Sequence, residues 1–305
     1  MTNPQAEIND DEVDLFELFT VLWNDRIRIV TITLVAALIS VFYAISQPNI
    51  YYADALLAPA GNEASDRISG LAGQFGGLAS LAGISLSDES INKSDLGLEV
   101  IKSRKFVREF VERHKILPEL MAVDYWDSEK RELVLDTAIY DKKTKTWVDK
   151  DGPPSNEQIY ATYMDKLILK EDKGSEFVRI GFKHKSPDIA AKWAGFVVKD
   201  LNDAIRKQDI DEAESSIAYL RQQVLNSPLT DLRNLFYELI QSQTETMMLA
   251  NVREEYVFKT IDPATVPENK SEPKRALILV LGTFLGGFVA LIYVLVSHYI
   301  RKLNS

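Results

Sequence analysis

The chain has 305 residues, a formal net charge of −10 and no cysteine. The absence of cysteine excludes disulfides, thiol catalysis and cysteine metal sites, and it fits an oxidising compartment in which stray thiols would pair. The acidic balance argues against nucleic acid as a partner, because phosphate binding needs clustered lysine and arginine.

An acidic N-terminal tail, residues 1–28, contains a predicted amphipathic helix over residues 13–26. Its apolar residues follow helical spacing: Leu15, Leu18, Phe19 and Leu22. An uncharged run follows directly. A position in the membrane interface is therefore favoured over the alternative of an ordinary packed helix.

Two uncharged runs, residues 29–46 and 276–296, are predicted to be transmembrane helices, since a bilayer core needs about 20 helical residues. The first run is longer than the apolar core of a signal peptide, about 7–15 residues, so we interpret it as an uncleaved anchor. Positive residues flank the outer ends of the runs: Arg26, Arg28, Arg301 and Lys302. They favour cytoplasmic tails over residues 1–28 and 297–305, with residues 47–275 on the other side.

The insert between the two runs opens with a predicted strand over residues 50–59. Residues 61–88 are then rich in glycine, alanine and serine, with leucine and isoleucine that a pure linker lacks. Two interpretations stay open. The segment is either a flexible surface loop or a stretch that packs against a neighbouring subunit or the membrane surface.

The patterns between residues 94 and 183 predict alternating helices and strands. They are a helix over 94–115, a polar segment over 125–154, a helix over 156–164, and strands over 167–170 and 176–183. Ser94 is the predicted N-cap of the first helix, and Pro118 is predicted to end it.

A long helix is predicted from the cap Ser186 and Pro187 to about residue 225. About 40 residues at 1.5 Å each span about 60 Å, which exceeds the diameter of a compact domain of this size, so this helix is expected to project. Its middle is polar, which indicates solvent or weak helix contacts rather than a core. A second helix over residues 229–248 and a strand over residues 252–262 lead back.

Five segments carry a family resemblance by their order and spacing. They read VDLFELFTVLWNDR, GGLASLAGIS, LEVIKSRKFVREFVERHKILPEL, SPDIAAKWAGFVVKDLN and VPENKSEPKRALILVLGTFLGG. Together they resemble Wzz-type chain length determinants, the class 1 polysaccharide co-polymerases of Gram-negative inner membranes. The resemblance covers nearly the whole chain, although the helical extension is short for the family.

The resemblance implies an α+β fold in which two transmembrane helices flank a periplasmic domain with an α/β base and a long projecting helix. It implies a non-catalytic regulator of O-antigen chain length, a ring-like homo-oligomer beside an O-antigen polymerase, with a lipid-linked glycan as a further partner. Kinase-bearing relatives have a phosphate loop after the second span. The chain ends at Ser305 without one, so we expect it outside that branch. The alternative function is a two-span adaptor for capsule or exopolysaccharide polymerisation and export.

No catalytic, cofactor or metal site is predicted from the sequence. The histidines lack metal-like spacing: His114, His184 and His298. Paired acidic residues are typical of a solvated surface in so acidic a chain. A glycosidase would need two carboxyls that face each other across a cleft. A membrane-tethered glycan hydrolase is therefore the least favoured function class.

Three groups of residues are predicted to serve membrane contact and assembly. The G-x-x-x-G spacing of Gly282 and Gly286, with Gly287, predicts close approach to the first span or to another membrane protein. The membrane-proximal neck is Pro263, Pro267, Pro273, Lys274 and Arg275. Its two cations either contact lipid phosphates or mark the end of the span. The residues predicted to serve oligomer contacts or length control are Trp193, Leu220 and Leu239.

Overall fold

A computed structural model describes residues 15–60, 93–148, 152–172 and 174–303. The predictions for residues 1–14 and for the glycine-rich segment 61–88 lie outside these ranges. The chain divides into two compact units, one formed by Met1–Asn49 with Ser271–Ser305 and the other by Ile50–Lys270. The fold is α+β, with two apolar helices near the chain ends and a larger unit that contains a long helix.

The described helices and strands are named in chain order. The helices are α1 (Leu15–Asn24), α2 (Arg26–Ser46), α3 (Lys93–Lys102), α4 (Arg104–His114), α5 (Leu117–Met121), α6 (Asn156–Lys166), α7 (Pro187–Asn226), α8 (Thr230–Val252) and α9 (Arg275–Leu303). The strands are β1 (Tyr51–Pro59), β2 (Val123–Asp127), β3 (Glu132–Leu135), β4 (Tyr140–Asp141), β5 (Thr146–Trp147), β6 (Leu167–Glu171), β7 (Val178–His184) and β8 (Phe258–Asp262).

The first unit pairs α2 with α9, and α1 also packs against α9. Both α2 and α9 are long and apolar enough to cross a bilayer. Their large apolar side chains face outward: Phe42 is 79% exposed and Phe284 is 74% exposed. Such a surface is unfavourable in water and favourable in lipid. Both predicted spans are present as helices, and these helices extend beyond the uncharged runs.

The second unit is built on a four-stranded antiparallel sheet in the order β6-β7-β1-β8. Strand β1 occupies a central position and pairs with β7 from Tyr51 opposite His184 to Leu57 opposite Val178. Position 181 requires glycine, because a Cβ there would overlap the Ala53 carbonyl and the Asp54 side chain. Helix α7 packs on this sheet, and the core lies between them.

Helix α7 has 40 residues, so it is about 60 Å long. Ser186 caps its first turn by accepting a hydrogen bond from the Ile189 amide, and Pro187 occupies the first position. Its first half supplies core residues, whereas beyond Ile205 its buried residues are Ala213 and Ile217. A short connection at Ser227 and Pro228 returns the chain into α8, and we call α7 and α8 the helical hairpin.

Several predicted boundaries are wrong. The single helix predicted over 94–115 is two helices, because Ser103 leaves the helical conformation and caps α4 by accepting from the Phe106 amide. Ser94 lies inside α3 and is buried, and Pro118 belongs to the first turn of α5 rather than ending a helix.

Two further segments differ from their predictions. The polar stretch over 125–154 contains two small antiparallel pairs, β2 with β3 and β4 with β5. The last strand of the unit begins at Phe258 instead of Val252, because α8 continues to Val252.

Candidate functional site

The two apolar helices meet along a seam of small residues. Gly282 faces Ser40 and Gly286 faces Ala36 so closely that a Cβ at either glycine would overlap the facing side chain. Gly287 lies beside Thr33, whose side-chain atoms would be 3.7 and 3.9 Å from an added Cβ. The backbones of α2 and α9 can approach this closely only because the seam carries no bulky side chains.

The α2 side of the seam was missed by sequence reasoning, although its signal was present. Thr33, Ala36 and Ser40 are small residues at i, i+3 and i+7 of an apolar run, and this spacing places them on one helix face. The two hydroxyls are satisfied within their own helix. Thr33 Oγ1 donates to the Ile29 carbonyl at 2.8 Å, and Ser40 Oγ donates to the Ala36 carbonyl at 2.8 Å. They therefore bring no unpaired polar group into the seam.

Arg275 joins the ends of the two apolar helices. Its Nε donates to the Ala44 carbonyl at 3.1 Å, and its guanidinium also donates to Asn49 Oδ1 at 3.1 Å. These hydrogen bonds connect α9 to the end of α2, and the two alternatives predicted for the neck cations, a lipid contact or a mark of the span end, stay predictions. Lys274 is exposed. The prolines of the neck lie in the irregular stretch between β8 and α9: Pro263, Pro267 and Pro273.

Trp193 is a core residue on α7 and not a surface residue. Its side chain is 0% exposed and packs edge-on against Phe182, with ring centroids 5.7 Å apart. The burial places Trp193 in the core of its own chain, and its predicted role in oligomer contacts or length control stays a prediction. Leu220 and Leu239 lie on the helical hairpin, where Leu220 is half-buried and Leu239 is 43% exposed.

The base of the helical hairpin is held to the sheet by buried polar contacts. Asn202 Oδ1 accepts from the Val257 and Phe258 amides at 2.7 and 3.0 Å, and Asn202 Nδ2 donates to the Phe258 carbonyl at 3.0 Å. Nearby, Lys93 Nζ donates to Asp209 at 2.6 Å and to the Tyr256 hydroxyl at 3.0 Å. These contacts fix where α7 leaves the core.

The same cluster shifts the pKa values of two of its members. Partial burial opposes the charge of Lys93, but the hydrogen bonds to Asp209 and Tyr256 outweigh it and raise the lysine pKa. Burial raises the pKa of Tyr256, and its hydrogen bond to Asp209 adds to this. The tyrosine therefore stays neutral and the lysine stays charged at neutral pH.

His184 is a buried histidine whose hydrogen-bond partners are backbone groups. The Ser186 amide donates to Nδ1 at 2.9 Å, so Nε2 carries the proton and donates to the Glu119 carbonyl at 3.0 Å. Burial lowers its pKa to about 4. Across residues 15–60, 93–148, 152–172 and 174–303, no cluster of three or more histidine and carboxylate side chains could hold a metal ion.

Comparisons with known proteins place two parts of the chain. The family model of the Wzz chain length determinant protein matches residues 11–114, and the model named "G-rich domain on putative tyrosine kinase" matches residues 229–299. A solved "full-length bacterial polysaccharide co-polymerase" is similar at 15% identity, covering 96% of this chain and 100% of that chain, with a TM-score of 0.40. No curated protein sequence matches significantly.

The Wzz match confirms the resemblance drawn from the sequence. It spans the first apolar helix, β1, α3 and α4. The second match spans α8, the neck and most of α9. That model is named for a domain on putative tyrosine kinases, whereas the sequence predicts a chain outside the kinase-bearing branch.

Proposed function

We propose that this chain, which carries the Wzz domain of polysaccharide chain length determinants, regulates the length of the O-antigen on lipopolysaccharide. It acts without catalysis, as a homo-oligomeric scaffold that tunes a polymerase in the inner membrane. Residues 1–28 and 297–305 lie in the cytoplasm, and residues 47–275 lie in the periplasm. The observation that carries the proposal is the Wzz match over residues 11–114.

The paired apolar helices support a role inside the membrane. A seam closed by glycine, alanine, serine and threonine holds α2 and α9 together, and their outward faces remain apolar. Those faces are available for lipid and for other membrane-embedded helices. A polymerase of lipid-linked glycans works in the same bilayer, so contact through these helices is a direct way to couple the two proteins.

The helical hairpin supports contacts between copies. Large apolar side chains remain exposed along it: Tyr219, Leu225, Leu229, Leu232, Tyr237, Leu239, Met248 and Val252. Exposed apolar residues in such number are unusual on a monomer in water. A neighbouring copy that covers them gives the ring-like assembly.

A capsule or exopolysaccharide is the second candidate glycan. The match of residues 229–299 to a domain named for tyrosine kinases favours it, because that match relates the chain to the kinase-bearing branch. The chain is then a two-span adaptor for polymerisation and export, with the same non-catalytic action.

Glycan profiles from a deletion strain test the proposal. Lipopolysaccharide and capsular material are run separately on gels, from the wild type, the deletion strain and the strain complemented with the full chain. The proposal predicts that the deletion strain still makes O-antigen, that its modal length is lost, and that complementation restores it. A change confined to the capsule selects the second candidate. Loss of all polymer, or no change in either glycan, contradicts length control.

A further inference from the structure

A cavity of about 930 Å³ opens between α4, α6 and the β4–β5 pair, entirely within the larger unit. Five cations line it: Arg104, Lys105, Arg108, Lys115 and Lys145. Glu112 is the one acidic residue in the described lining. We call this cavity the basic cleft. Such a concentration of positive charge stands out in a chain whose net charge is −10.

Among the residues that the structure describes, most of these cations form no ion pair. Arg104 is committed, since it forms two hydrogen bonds with Glu157 and lies 4.6 Å from the centre of the Tyr160 ring. Among the described residues, the other four form no ion pair. Unpaired cations around a cavity create a positive potential that concentrates an anionic ligand.

Two of the unpaired lysines occupy backbone positions that favour other residues. Lys115 has φ of 53° and Lys145 has φ of 56°, in the left-handed region where glycine or asparagine is favoured. Lys115 ends α4, and Lys145 lies in the turn between β4 and β5. A long cation at each of these positions is not what backbone geometry selects.

Aromatic rings complete the lining. Tyr140 and Trp147 face each other across the β4–β5 pair with ring centroids 5.1 Å apart, and both are half-buried. Tyr160 on α6 is half-buried and held by Arg104. Partly exposed aromatic faces beside polar groups suit a sugar ring, which has an apolar C–H face and a polar hydroxyl edge.

We propose that the basic cleft binds a segment of an acidic glycan, with its carboxylates on Arg108, Lys105 and Lys145 and its sugar rings against the aromatic residues. The volume is at the upper end of that of ligand pockets, about 300–1,000 Å³, which suits an oligosaccharide rather than a single sugar. This inference rests on the proposed function and names the chemistry of the polymer it handles. It assigns to the periplasmic domain a direct contact with the growing chain.

Titration calorimetry on the full-length protein in detergent tests the inference. The probe is tetragalacturonate, and its methyl ester is the uncharged match. We expect the acid to bind, the ester to bind at least about tenfold more weakly, and the affinity for the acid to fall as salt increases. The double variant Arg108→Glu with Lys145→Glu should weaken binding of the acid by at least about tenfold.

The matched control is Lys142→Glu with Lys143→Glu. It makes the same total charge change on exposed residues of the β4–β5 turn that lie outside the cleft. The control should bind the acid within about twofold of the wild type, because its charges lie outside the cleft and are screened by solvent. Equal loss in both double variants, equal binding of acid and ester, or no binding by the wild type overturns the inference. If the charge reversals lower the melting temperature, Arg108→Gln with Lys145→Gln repeats the test with smaller perturbation.

Two further arms separate this inference from other outcomes. Inorganic pyrophosphate is titrated as a competitor, and a cleft that binds it but not tetragalacturonate is a phosphate site, which overturns the acidic-glycan assignment. If the wild type fails to bind the acid while the chain still restores modal length in the deletion strain, this inference fails and the proposed function stands. If the wild type binds tetragalacturonate while deletion leaves every glycan profile unchanged, the proposed function fails and the assignment of the basic cleft as an acidic-glycan site is kept.

Discussion

At the scale of single residues, Asn202 is the side chain that most directly attaches the helical hairpin to the sheet. It is buried, and both ends of its amide are used on the backbone of Val257 and Phe258. Removing it leaves two amides and one carbonyl without partners at the place where α8 returns to β8. Buried groups left unpaired cost about 1–3 kcal/mol each when water cannot reach them.

We therefore expect Asn202→Ala to lower the melting temperature of the full-length protein in detergent by roughly 5–10 °C, followed by circular dichroism. Asn234→Ala is the matched control, since Asn234 is exposed on α8 and should change the melting temperature little. Similar melting temperatures for Asn202→Ala and the wild type would show that the Asn202 hydrogen bonds add no stability.

The pKa of His184 predicts how stability depends on pH. Burial lowers it to about 4 from an ordinary value of 6.5, so between these values the unfolded chain binds a proton that the folded chain does not. Stability from this residue is complete above pH 6.5 and declines as the pH falls toward 4. The full loss is about 3 kcal/mol.

The change that isolates this effect is His184→Gln, because glutamine keeps a hydrogen-bonding side chain and does not titrate. Relative to this variant, the wild type should lose stability between pH 6.5 and 4, measured by melting temperature across that range. Parallel decline of the two proteins would assign the pH dependence to other groups.

At the scale of elements, the seam between α2 and α9 can be tested by disulfide cross-linking. The chain has no cysteine, so a disulfide within one chain forms only between the introduced residues. An added Cβ at Gly287 would lie 3.7 Å from Thr33 Oγ1 and 3.9 Å from Thr33 Cγ2, so cysteines at these two positions would place their side chains side by side. The double variant Thr33→Cys with Gly287→Cys should cross-link within one chain under mild oxidation, seen as faster migration on non-reducing gels.

Two controls define the seam. Thr31→Cys with Gly287→Cys should cross-link poorly. Residue 31 is two positions from residue 33 along α2, so its side chain points away from the seam. Adding Gly282→Leu to the linked pair should reduce cross-linking, since a side chain there displaces α2. Equal cross-linking in all three variants would contradict the close packing of α2 and α9 along the seam.

The elements also show which parts of the fold are accessible from sequence. The starts of α6 and α7 were predicted well because their signals are local. A capping box joins Ser155 and Gln158, and Ser186 precedes Pro187. The break at Ser103 was missed, because the hydrophobic pattern continues through it and the turn is selected by packing of α3 and α4 on the core.

The candidate sites divide in the same way. Gly282 and Gly286 could be selected from their spacing, whereas the facing Ser40 was found only from the packed helices. The basic cleft could not be predicted, since Arg108 is distant in sequence from Lys145 and Trp147 and meets them only through the placement of the β4–β5 pair.

At the scale of the whole molecule, the central claim is that an assembly of copies sets glycan length and no single side chain makes or breaks a bond. Leu239→Asp places a charge on the exposed apolar surface of the helical hairpin, where it should disturb contacts between copies. We expect glycan to be made at normal amount with a shifted or broadened length distribution, read on a gel. The control Gln222→Asp adds the same charge at an exposed polar position of α7 and should leave the distribution unchanged.

The most direct measurement is the glycan length distribution in a strain that produces wild-type chain and Leu239→Asp chain in equal amounts. If length is set by mixed assemblies, the gel shows one distribution whose mode differs from that of either protein alone. If each chain acts independently, the gel shows the wild-type and variant distributions superimposed. That superposition would contradict the account of this protein as an assembled scaffold.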